Sequence, residues 1–180
     1  MPIFENEKVL VVDKRVGYLS VVSRMGKADE RPCEFLDWLE RLGRPLWSVH
    51  RLDEVVSGLL VIAKDPKAHS LLSQAFEGRE LKKTYEAWTE VGQECPPKEK
   101  VRWESKLLRG KKRAYEKPFG KQSITEACFQ ETINFEGESL WTWTLEPLTG
   151  RSHQLRFECS KQGHPVWGDG LYGSSKKFPI

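Results

Sequence analysis

Four β-patterned segments follow one another with no helical pattern between them: residues 81–91, 101–108, 122–135 and 139–145. Strands in succession exclude a strictly alternating βαβ chain and point to an α+β domain with a mixed, mainly antiparallel sheet. Glu136-Gly137 between the last two runs suits a hairpin turn. Short β-rich runs at residues 8–13 and 18–22 precede them, separated by a turn at Gly17. Helices are expected from Pro32 to Leu42, from Asp65-Pro66 to Phe76, and from Ser152 to Gln162. Phe35, Leu36, Leu39 and Leu42 share one face of the first, and Gly43 stands where a terminating glycine belongs. In the second, Asp65 reads as N-cap and Pro66 as the first helical residue. No repeat, low-complexity tract or long linker interrupts the chain, so residues 1–180 read as one domain with flanking helices.

The most informative stretch runs from Trp47 to Lys64. Val49 before it, and Leu59 to Ala63 at its end, read as buried strand. Between them His50-Arg51-Leu52-Asp53-Glu54 reads as a loop. A cation and a carboxylate two residues apart, held between strands, can place a catalytic group accurately; they can equally be a surface ion pair. Arg156 falls near the start of the third helix, inward if Leu155 and Cys159 mark its buried side. An inward arginine needs a carboxylate, because an unpaired buried charge costs several kcal/mol. No local residue suggests itself, and Asp53 is a candidate from far along the chain. Tyr85, in the 81–91 strand, reads by default as core, as do Trp141 and Trp143.

Composition narrows the partners. Hydrophobic residues make up 38% and charged residues 31% of the chain, whose net charge is only +3. Residues 98–121 hold ten Lys/Arg against three Glu, a local +7 that leaves −4 for the remainder. The loop Arg109-Gly110-Lys111-Lys112-Arg113 is its densest part. Such a strip on a slightly acidic body fits a polyanion-binding edge. The first thirty residues hold no apolar signal core, and no apolar run approaches a membrane span. Four scattered cysteines without Cys-x-x-Cys read as reduced thiols of a cytoplasmic protein. No zinc-like ligand spacing, phosphate-cradling glycine motif or Gly-x-Ser-x-Gly is present, so neither a metal nor a cofactor is expected. Carboxylate chemistry at Asp53 remains. It could be glycosidic-bond chemistry on a nucleic acid, or a paired-carboxylate glycosidase with Glu54 as partner.

Five motifs in order carry a resemblance. His50-Arg51-Leu52-Asp53 followed by Ser57-Gly58-Leu59-Leu60-Val61 resembles the signature of the RluA-type pseudouridine synthases. Lys8 to Gly17 resembles their opening strand and Lys-Pro-x-Gly turn. Leu81 to Tyr85 resembles the Lys-x-Tyr motif, Gln122 to Thr125 the Ala-x-Thr strand, and Thr149 to Arg156 with Gly163 to Gly173 the closing motif. The resemblance implies a sheet with a central catalytic cleft. It implies isomerisation of uridine to pseudouridine in structured RNA (tRNA or rRNA), with no cofactor and no obligatory protein partner. It makes Asp53 the nucleophile, Tyr85 the residue packed against the uracil, and Arg156 the arginine that pairs with the aspartate. Arg51 becomes the group that helps flip the nucleotide. His50, Arg151, His153 and Gln154 would contact substrate, and Lys111, Lys112 and Arg113 the RNA backbone. The alternative is a non-catalytic RNA-binding relative.

The chemistry suits these roles. The C1′–N1 bond breaks, the uracil turns and C1′ joins C5, so nothing is oxidised and no water is consumed. A carboxylate nucleophile carries such a step through a covalent intermediate. A base inside a stack must first be extruded, at a cost of a few kcal/mol. Departures from the family pattern are equally specific. Glu54-Val55-Val56 stands where a basic residue, an acid and threonine are usual, and Arg15-Val16 replaces Pro-Ala. The chain ends seven residues after Gly173, leaving one sheet edge in doubt, and no small RNA-binding domain fits before Lys8. The catalytic domain is therefore expected to find its RNA alone.

Overall fold

The computed structural model describes residues 1–22 and 31–176. Contacts divide the chain into two compact units, Met1–Leu81 and Lys82–Pro179.

In the first unit, β1 (Phe4–Glu5), β2 (Val9–Lys14), β3 (Trp47–Ser48) and β4 (Gly58–Ala63) form a sheet in the order β1-β2-β4-β3. Every ladder in it is antiparallel. Side chains alternate along a strand, so Leu10, Val12 and Lys14 share the buried face of β2. Leu10 and Val12 join Leu60 and Ile62 of β4 in a core that also takes Leu46 and Trp38. Each such apolar side chain, withdrawn from water, contributes roughly 1.5–3 kcal/mol. Helix α1 (Glu34–Leu42) packs Phe35, Leu39 and Leu42 on that core. Gly43 closes it in the left-handed conformation, with φ at 59°, its N–H donating to Leu39 and Glu40 carbonyls. Helix α2 (Pro66–Glu77) starts as expected: the Asp65 carboxylate accepts from the Ala68 N–H at 2.8 Å.

In the second unit, β5 (Tyr85–Glu90), β6 (Val101–Arg109), β7 (Ala114–Glu116), β8 (Lys121–Phe135) and β9 (Glu138–Pro147) form a sheet in the order β5-β9-β8-β6-β7. All four ladders are antiparallel. β8 and β9 make a long hairpin whose turn residues, Glu136 and Gly137, both take positive φ (52° and 80°), which matches the twist of the strands. Trp103, Phe129, Trp141, Trp143 and Leu145 build the core, and Cys159 of α3 (Gln154–Lys161) enters it. Burial drives the Cys159 thiol far above its ordinary pKa, so it stays protonated and serves as a small apolar group. Trp141 and Trp143 are packing residues, as expected, and His164 stacks on Trp143 with ring centres 4.6 Å apart.

The α+β class with mainly antiparallel pairing holds, with the strands in two sheets. Three local expectations need correction. Residues 18–22 are not a strand: Leu19 makes one isolated bridge to Cys33, the Tyr18 carbonyl accepts from the Lys14 ammonium, and the Ser20 hydroxyl is engaged with the Leu52 main chain. Leu36 faces outward, and Trp38 takes its place on the buried face of α1. A short strand, β7, follows the basic loop and turns residues 101–116 into a hairpin.

Candidate active site

In the first unit the loop between β3 and β4 carries Asp53, and its neighbours are fastened on both sides. Leu52 is buried, and the Ser20 hydroxyl both donates to its carbonyl (2.7 Å) and accepts from its N–H (2.8 Å). Glu54 follows Asp53, and its carbonyl accepts from the Gly17 N–H at 2.9 Å. The same carbonyl receives the Lys14 ammonium at 3.3 Å, which also donates to the Arg15 and Tyr18 carbonyls at 2.8 and 2.7 Å. Lys14 is fully buried, so its three donors are all used inside the chain. Burial holds its pKa below the ordinary lysine value, against the opposing fields of Glu34, Glu54 and Asp53. The Val56 N–H donates to the Asp53 carbonyl at 3.0 Å and closes the turn. Asp53 itself is half-buried and Arg51 exposed.

His50 completes the frame. β3 ends at Ser48, and beyond it the His50 Nε2 accepts the Val61 N–H at 2.9 Å, standing in for a strand carbonyl. That nitrogen carries no proton, and the ring stacks on Phe76 of α2 at 4.6 Å. Expected to touch substrate, His50 is seen here positioning the loop.

The two departures from the family pattern acquire partners. The Arg15 N–H and Nε donate to Glu34 at 3.3 and 3.1 Å, and Nη2 to Asp37 at 2.6 Å. Arg15 thus ties the first turn to α1 through a main-chain donor that proline lacks. Glu54 pairs with Arg31 at 2.7 Å, which offsets its negative charge.

In the second unit, Tyr85 opens β5 and packs against the tryptophan core. Arg156 has a carboxylate close by after all: its Nε and Nη2 donate to Asp169 at 2.6 and 2.9 Å, and the two side chains are only 13% and 7% exposed. Sequence reading placed no such partner nearby. Asp169 lies beyond the end of α3, between Gly163 and Gly173, and a spacing of thirteen residues carries no helical periodicity. The guanidinium also lies over the Tyr172 ring at 5.2 Å. The Tyr172 hydroxyl accepts from the Ala114 N–H at 2.7 Å and lies 3.0 Å from His153 Nδ1, to which it can give its own proton.

His153 precedes α3 with φ at 53°, a left-handed conformation that costs a non-glycine residue about 1–2 kcal/mol. Held strain of this kind gathers at working sites. Gln154 is buried, and its amide is saturated inside the chain. Its oxygen accepts from the Thr149 hydroxyl (2.8 Å) and the Arg151 N–H (3.0 Å), and its nitrogen donates to Ile124 O and Thr125 Oγ1 (3.0 Å each). Expected to contact substrate, it fastens the turn before α3 to β8. Arg151 donates from Nε to the Gln122 carbonyl at 2.8 Å. Lys111, Lys112 and Arg113 stand exposed at the tip of the β6–β7 hairpin, closed by the Gly110 N–H on the Arg113 carbonyl at 2.9 Å.

A sequence model described as RNA pseudouridylate synthase matches residues 8–161. The chain therefore belongs to the RNA pseudouridylate synthase family, whose members are isomerases. Within that family it is of the RluA type. It is similar to the dual-specificity RNA pseudouridine synthase RluA of Yersinia pestis, with 32% identity over 185 residues, covering 94% of this chain and 80% of the relative. It is also similar to RluA of Escherichia coli strain K12, with 33% identity over 187 residues, covering 96% and 76%. Among solved structures, human RNA pseudouridylate synthase domain containing 1 superposes with a TM-score of 0.79 at 26% identity, covering 97% of this chain and 69% of that one. No helix among the described residues is long and apolar enough to cross a membrane.

Proposed function

We propose that the chain isomerises specific uridines to pseudouridine in structured RNA, either tRNA or rRNA, with Asp53 as the nucleophile. The observation that carries this reading is the clamping of the residues on both sides of Asp53, Leu52 by the Ser20 hydroxyl and Glu54 by Gly17 and Lys14. A carboxylate on a loop so restrained reaches its target with little reorganisation, which is what a nucleophile requires. Arg51, exposed two residues earlier, serves the extrusion of the nucleotide. Tyr85 packs against the target uracil, and Arg156, oriented by Asp169, completes the catalytic set. Arg151, His153 and the basic tip at Lys111, Lys112 and Arg113 contact the RNA, while His50 and Gln154 hold the loops that present those groups. The reaction takes place in the cytoplasm, a setting supported by the bacterial relatives. Residues 1–180 act together in this reaction as one catalytic domain.

Mapping pseudouridine in cellular RNA with and without the protein tests the proposal and separates the two RNA classes. Loss of modification at defined tRNA or rRNA positions is expected. An unchanged map would favour the non-catalytic RNA-binding alternative.

A further inference from the structure

The strand order forces an unusual crossing in the second unit. Leu107 of β6 is paired with Glu116 of β7 on one side and with Lys121 of β8 on the other. Residues 117–120 must therefore pass from one flank of β6 to the other. They do so in contact with its backbone: a Cβ on Gly120 would lie 2.5 Å from the Lys106 carbonyl and 2.8 Å from the Leu107 nitrogen, so only glycine fits. The crossing is a tight turn, with the Gly120 N–H on the Lys117 carbonyl at 2.9 Å and the Lys117 N–H on the Lys106 carbonyl at 2.9 Å. Proline at the second position and glycine at the fourth suit such a turn.

The remaining turn residue is Phe119, and it is 76% exposed. Single exposed apolar residues are ordinary. This one differs in standing on a turn whose backbone is anchored at both ends, which fixes where its side chain leaves the chain. Its surroundings are cationic. Lys106, Lys117 and Lys121 flank it and are exposed, with no ion pair among the described residues. The nearby Glu104 and Glu116 are taken up by Arg102 and Lys161.

Resting on the RNA reading above, we propose that Phe119 is a stacking post for an unpaired base of the substrate RNA, with the flanking lysines on its phosphates. An exposed aromatic face among cations fits a single-stranded or looped segment, in which bases are free to stack, better than a duplex, whose bases are already stacked.

Binding of two RNAs of equal length, a stem-loop and a blunt duplex, tests the proposal for wild type, Phe119→Ala and Phe119→Trp. Thermal melts confirm that the variants fold. Phe119→Ala should weaken the stem-loop roughly ten-fold, within what one stacked base contributes, and leave the duplex unchanged. Phe119→Trp should restore or exceed wild-type affinity. Because stacking releases no counterions, the slope of log affinity against log salt should stay constant in both variants, while Lys117→Ala with Lys121→Ala should flatten it by about 1.4. Equal stem-loop affinity for wild type and Phe119→Ala overturns the stacking post and leaves the proposed reaction standing. Wild type that binds neither RNA overturns both. A change in oligomeric state without a change in RNA affinity assigns the turn to a protein contact and overturns the proposal.

Discussion

Replacing Ser20 by alanine removes one oxygen and leaves two buried main-chain groups without partners, because the hydroxyl serves both the N–H and the carbonyl of Leu52. Ser20 is 4% exposed and Leu52 8%, so water does not readily take its place. An unsatisfied buried polar group costs about 1–3 kcal/mol, and the two together set an expected loss of about 2–6 kcal/mol. Urea unfolding of wild type and Ser20→Ala measures that directly. The same change frees the residue next to Asp53. A misplacement near 1 Å at a reacting group costs on the order of a hundred-fold in rate, so single-turnover isomerisation should slow about ten- to hundred-fold. RNA affinity should move less than two-fold, since Ser20 is not placed on the RNA surface. A variant within about 0.5 kcal/mol of wild type and equally fast would refute the claim that this hydroxyl holds the loop.

Other outcomes follow from the second unit. Asp169→Asn breaks a largely buried bidentate pair; it should cost about 3 kcal/mol in urea unfolding and slow single turnover more than ten-fold, and Arg156→Lys should fail likewise for want of the planar fork. Glu158 is fully buried, with Oε1 accepting from the Ser105 and Ser123 hydroxyls at 2.8 and 3.0 Å and Oε2 without a partner among the described residues. Burial raises its pKa, so the folded state prefers the protonated acid. Its contribution is complete below the unfolded carboxyl pKa and is lost as pH rises through the raised folded one. Stability of wild type relative to Glu158→Gln should therefore fall as pH is raised across that window, and parallel curves would show that Glu158 does not titrate on folding. Replacing Lys111, Lys112 and Arg113 by alanine should flatten the salt dependence of RNA affinity by about 2 to 3 in slope, as expected for three lost phosphate contacts.

Where local signals were strong, the fold was legible. Asp65-Pro66, Gly43 and Glu136-Gly137 mark helix and hairpin ends through capping and φ preferences that operate within a few residues. The β-rich composition of residues 18–22 misled, because a strand needs a continuous partner edge and this segment is paired piecemeal, Tyr18 with the Lys14 ammonium, Leu19 with the main chain of Pro32 and Glu34, and the Ser20 hydroxyl with the Leu52 main chain. β7 has three residues, too few to show a period, and the sheet order that sends residues 117–120 across β6 is set by long-range pairing. The candidate site was legible in part. Asp53, Tyr85 and Arg156 stand out through motif order, but their supports lie far off in sequence. Ser20 is 32 residues from Leu52, and Lys14 is 40 from Glu54. Alternation of Leu10, Val12 and Lys14 on one face of β2 was the available hint that a lysine would be buried. Nothing comparable announced Asp169.

Release of the uracil C5 hydrogen from RNA tritiated at that position tests the central claim most directly, because isomerisation forms a bond at C5 and mere binding does not. Wild type should release tritium from tRNA or rRNA, and Asp53→Asn should release none while binding the RNA with affinity close to wild type. Turnover by Asp53→Asn equal to wild type, or no release by wild type from either RNA, would contradict the account.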